Sequence, residues 1–247
     1  MYDISIRRPK RHPQTAPPTG NAQSVFYLKH SDKPKTIIKF MKQFLTVGLA
    51  KKDKKFESFL EATKKELTAF FNSSVPEPLI FLLESRLELD LIWGQKTEKW
   101  VVGGTKNGSI FILDPKVYTQ LSSHKDKNDF WKTLKHEYCH IYFRYITKGV
   151  NPLWLHEGLA SYLADQKKIC DDPLDVFSYF DKPGKGLYNA GYFWVDLLIE
   201  KFGKAKFLRL IKSLEPKPNL TENIFSARFC KIYGFKFDKN ALTKLIK

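Results

Sequence analysis

At Pro115 the chain changes its period. Upstream, "KWVVGGTKNGSIFILDP" (99–115) sets two β-rich runs on either side of Asn107-Gly108. That residue pair is suited to the left-handed backbone of a tight hairpin turn. "LIFLLE" (79–84) is a short apolar run behind turn formers and reads as a buried strand. Downstream, apolar residues recur at helical spacing almost to the C-terminus. The first such helix is expected from a cap at Asp126 or Asn128 to about Lys148, with Gly149 at its C-terminal cap. "PLWLHEGLASYLADQ" follows, opened by Pro152. Further helices are expected over about 187–213, broken near Gly203, and over 221–233 and 239–246. One helix precedes the strands, over 53–73, where Phe56, Phe59, Leu60, Leu67 and Phe70 share a face and Pro76 and Pro78 end it. With strands early, helices late and no internal repeat, the fold class expected is α+β: a small mixed sheet followed by a helical part.

The first downstream helix carries "TLKHEYCHIYFRYI" (133–146). Positions four apart on a helix lie one turn apart on one face, so His136 and His140 aim both imidazoles at one point. That is the bite tetrahedral zinc requires. Glu137 is rotated by roughly 100° from His136. It stands beside such an ion rather than on it, placed to take a proton from water. Two ligands are too few. Sixteen residues separate His140 from Glu157, in the first turn of the next helix. A helix folded back across the Gly149 turn would bring Glu157 to the histidine pair. Taken alone, Glu157 is equally an acid favourable to its own helix dipole.

"HEYCH" followed by "WLHEGLASYL" resembles the gluzincin zinc metallopeptidases, and is most similar to the aminopeptidase N-like branch, whose second motif reads W-L-N-E-G-F-A-[ST]-Y. Trp154, Leu155, Glu157, Gly158, Ala160, Ser161 and Tyr162 match that form. His156 stands for the usual Asn and Leu159 for the usual Phe, and the gap before Glu157 is two residues shorter. The resemblance covers about 100–215. It implies a zincin-like fold, zinc held by His136, His140 and Glu157, and Glu137 as general base. It also implies a Tyr that stabilises the oxyanion from a Y-x-x-G motif opening a later helix. Tyr188, in "YNAG", is the candidate, with Tyr192 one turn on as its substitute. Substrate peptides of such enzymes lie along a sheet edge. "WVVGG" (100–104) is the candidate edge, its glycines allowing close approach, and an ordinary structural hairpin is the equal alternative. No G-[AG]-M-E-N segment is present, so aminopeptidase specificity is not carried over. Ser161 is expected to orient a ligand, Cys139 to be a small buried hydrophobe, and His156 to face water or substrate.

The reading at this stage is a zinc-dependent peptidase acting on a peptide or protein. The net charge of +16 raises an alternative, a nucleic-acid-binding protein with a degenerate or structural metal site. Lysines spread end to end, without compact Arg clusters, make a solvated surface the better account of that charge. Residues 1–24, with "RRPKRHP", read as a disordered basic arm before a peptidase domain of 25–247, divided at about 150. No apolar run reaches bilayer length, the N-terminus lacks a signal-like apolar stretch, and the three cysteines are odd in number and far apart. A cytoplasmic location is therefore expected. Oligomeric state is not legible.

Overall fold

The structure is a computed structural model that describes residues 53–215 and 220–246. The basic arm expected over 1–24 lies outside the described residues, as does the start of the domain up to residue 52. Helix α1 (Lys54–Phe71) begins where the Asp53 side chain accepts the backbone N–H of Lys55 at 2.9 Å. It ends at Asn72, in the left-handed conformation, before the prolines expected to stop it. Leu67 and Phe71 are fully buried, and Phe56 and Phe59 pack on Trp131.

Three strands follow: β1 (Ile80–Leu83), β2 (Gly103–Lys106) and β3 (Ser109–Leu113). Their order is β1-β3-β2, with β1 parallel and β2 antiparallel to β3. Asn107 and Gly108 have φ of 52° and 75°, as the tightest hairpin turn demands. The sheet is thus mixed and small, as expected. Between β1 and β2 runs a helix not anticipated from the pattern, α2 (Arg86–Trp93). Its signal was present: Ser85 and Glu88 form a capping box. The Arg86 guanidinium then donates to the carbonyls of Val101, Thr97 and Glu98, pinning the approach to β2.

A short α3 (Tyr118–Leu121) leads to α4 (Asp129–Thr147). Every residue from His136 to Phe143 is buried. An amphipathic surface helix would not show this; α4 is covered by α1, by β2 and β3, and by the helices α5 (Leu153–Leu163) and α7 (Lys204–Ser213). Its end differs from the expectation. Lys148, not Gly149, takes the left-handed conformation (φ 56°), its N–H reaching Arg144 O at 2.8 Å. The first free N–H groups of α5 are satisfied by the loop ahead of α6 (Leu187–Phe202): Leu153 donates to Phe180 O and Trp154 to Tyr179 O, at 2.8 and 3.0 Å. Before that loop a 3-10 helix covers Pro173–Ser178. Gly203, at φ 80°, separates α6 from α7 where a break was expected, and α8 (Glu222–Tyr233) and α9 (Lys239–Ile246) complete the helical part. The architecture is α+β, mostly helical. No helix among the described residues is long and apolar enough to cross a membrane.

Candidate metal centre

Helix α4 presents His136 and His140 in successive turns, both buried, with ring centroids 4.6 Å apart. Helix α5 folds back against it and delivers Glu157 from its second turn, one turn further in than expected. Both histidine Nε2 atoms converge on one carboxylate oxygen. Glu157 Oε2 lies 3.2 Å from His136 Nε2 and 3.4 Å from His140 Nε2. The three residues singled out from spacing are therefore one cluster.

On its far side, His136 Nδ1 lies 3.0 Å from the side-chain oxygen of Gln166. That oxygen only accepts, so Nδ1 carries the proton and Nε2 turns a bare lone pair towards Glu157. Two lone pairs at 3.2 Å need a cation between them, a proton or a metal. The titration behaviour says the same. Burial alone would depress His136, yet the hydrogen bond and charge of Glu157 outweigh it and raise its pKa. Burial would raise Glu157, but the three imidazoles around it, His140 first and then His136 and His156, hold it well below the usual carboxylate range. His140 is pushed down to about 3, first by burial and then by its neighbour His156, so it stays neutral and free to donate a lone pair.

Glu137 is 7% exposed, with Oε2 unpartnered among the described groups. Burial pushes its pKa up to about 7; His136 opposes the shift and Glu157 adds to it. Tyr188 stands in the first turn of α6, its ring 6.2 Å from that of His136 and edge-on to Trp100. Burial, then the nearby charges of Glu157 and Glu137, raise its pKa, so the phenol remains a donor. Tyr192 lies instead against Tyr162, at 6.1 Å. Of the two tyrosines, only Tyr188 meets the cluster.

Four readings need correction or addition. His156, expected to be wet or to face substrate, is 2% exposed. Its ring stacks on His140 with centroids 3.9 Å apart, and it packs against Phe143. Its Nδ1 lies 3.4 Å from Glu157 Oε1, close but without hydrogen-bond alignment. With His140 and Glu157 it makes a second group whose ligand atoms all lie within 4.8 Å of one another. Ser161, expected to orient a ligand, is fully buried and its hydroxyl bonds to no described group. Gln166 takes that part. It lies past the end of α5, returned to the site by the left-handed Asp165 (φ 51°) and by its N–H on Ser161 O. No period in the sequence marks a residue in such a turn. Finally, the glycines of β2 do not leave room for a ligand. A β-carbon on Gly104 would collide with the Trp93 ring, and one on Gly103 would fall 2.7 Å from Phe111 O. They admit the protein's own packing. Cys139 is buried, as expected, and burial raises its pKa, so it stays a neutral thiol; all three cysteines are free.

No protein-family model and no solved structure matches the chain. It is similar to "Uncharacterized protein YhcO" of Bacillus subtilis (strain 168), 26% identical over 137 residues, covering 45% of this chain and 42% of YhcO. The chain thus spans less than half the length of that relative, whose name states no activity.

Proposed function

We propose that this chain is a zinc-dependent peptidase of the gluzincin kind, with a zincin-like arrangement of sheet, active-site helix and helical part. One observation carries the reading: Glu157 Oε2 lies 3.2 and 3.4 Å from the two histidine Nε2 atoms. Donors held at about 2.0–2.1 Å around a tetrahedral zinc ion lie roughly 3.3–3.4 Å from one another. The N, N, O set and the tautomer imposed by Gln166 both fit that ion. His136, His140 and Glu157 would hold it.

Zinc in such a site supplies Lewis acidity to water and to the scissile carbonyl. The chain's own residues do the rest. Glu137 is buried on the same helix, one residue after His136, where a carboxylate beside the ion can take a proton and return it. It accepts the proton of the attacking water and passes it to the leaving amine. The Tyr188 phenol donates to the oxygen that gains charge as the carbonyl carbon becomes tetrahedral. Trp100, 55% exposed, stands edge-on to Tyr188 at the surface of the site.

The test is elemental analysis of the purified protein with a peptide-library digest, run with and without chelator. Stoichiometric zinc and chelator-sensitive cleavage are expected. Glu137→Gln is expected to keep the zinc and lose the cleavage; hydrolysis persisting in that variant would remove Glu137 from the chemistry.

A further inference from the structure

Arg144 belongs to none of the roles above. It is four residues after His140 and seven after Glu137, so it stands on the same stripe of α4 as the ligand and the base. Its Nη1 donates to Thr105 O, a carbonyl of the edge strand β2, at 3.3 Å. Its Nε is buried and unpartnered, and among the described residues Arg144 forms no ion pair. Glu137 and Glu157 act on it only at longer range. Glu157 is in any case committed to the histidines. A guanidinium has five donors in a planar fork shaped for a carboxylate, and here the geometry uses one of them to fix the group in place.

We infer that Arg144 binds a carboxylate of the substrate, beside Thr105 on the edge strand β2; the inference rests on the peptidase reading. The carboxylate has two sources, the C-terminus of a peptide or an Asp or Glu side chain near the bond cut. Either acid would pair with the guanidinium held on the same stripe of α4 as the ligand and the base. A peptide carrying the acid then binds with its scissile carbonyl already close to the ligand stripe.

The experiment uses the zinc-loaded Glu137→Gln protein and calorimetry with N-acetylated pentapeptides of Ala and Phe. These end in a free carboxylate or an amide, and a second amidated set carries Glu or Gln at each position. The acid form is expected to bind about 10- to 100-fold more tightly than its neutral counterpart, the range for a hydrogen bond to a charged group. Preference for the free terminus or for internal Glu names the source. Adding Arg144→Gln is expected to remove the preference while leaving the neutral peptides within about twofold, and Arg144→Lys to keep part of it as charge without the fork. Thermal unfolding checks that each variant folds. Equal binding of acid and neutral peptides overturns the inference. So does a uniform loss for all peptides in both variants, which would mark Arg144 as a prop for β2. If the protein takes up no zinc and binds no peptide, the peptidase reading fails too; zinc uptake with indifference to carboxylate sinks this inference alone.

Discussion

Gly158 and Gly191 meet backbone to backbone where α5 lies on α6. A β-carbon on Gly158 would sit 2.7 Å from the Cα of Gly191, and one on Gly191 would sit 3.0 Å from the Cα of Gly158. Each glycine follows closely on a residue of the site. Gly158 comes directly after Glu157, and Gly191 lies three residues after Tyr188. The close approach of these two helices sets the distance between the carboxylate and the phenol.

Gly191→Ala and Gly158→Ala are therefore expected to destabilise the protein by about 1–3 kcal/mol, the usual cost of overpacking against atoms that cannot yield. Intrinsic helix propensity points the other way, since Ala is favoured over Gly by roughly 1 kcal/mol in a helix interior. The sign of the change in thermal unfolding decides between them. Hydrolysis by the folded fraction should also fall, because Tyr188 is carried away from Glu157.

Removing the Tyr188 hydroxyl tests the oxyanion role directly. Tyr188→Phe is expected to lower kcat by about 100-fold with KM and zinc content little changed, on the scale of other oxyanion donors. Tyr192→Phe, on the Tyr162 side of α6, should leave kcat alone. Steady-state kinetics on one fluorogenic peptide distinguish the two.

Gln166→Leu leaves the Nδ1–H of His136 without its acceptor and frees the ring to change tautomer. Zinc affinity is expected to drop about 10- to 100-fold, as for other partners of metal-bound histidines. Ser161→Ala should change it little, because the Ser161 hydroxyl touches none of the ligands through a hydrogen bond. Competition with a chromophoric chelator measures both.

The raised pKa of Glu137 makes the metal-free protein lose stability as pH rises. Folded Glu137 titrates at about 7 and its ordinary value is 4.5, so between those values the folded state holds more proton than the unfolded chain. By linkage, stability falls across that window and the full cost is present above it. Glu137→Gln removes the titration. It is expected to stabilise the metal-free protein by up to about 3 kcal/mol at pH 8, with the difference vanishing below pH 4.5. Denaturant unfolding in chelator at several pH values reads this out; a difference that does not change with pH would contradict it.

The parts of this protein readable from sequence are those governed by local geometry. Spacing of four puts His136 and His140 on one face, spacing of one turns Glu137 aside, Asn107-Gly108 turns the hairpin, and Gly203 divides two helices, whatever the rest of the chain does. Tertiary structure decided what depends on distant elements meeting. It chose Tyr188 over Tyr192, buried His156 under His140, brought Gln166 rather than Ser161 to the ring, and filled the space beside Gly104 with Trp93. Each of those contacts joins residues that lie in different elements, beyond the reach of any single helix or strand period. Only packing, which fills space without regard to sequence distance, could specify them.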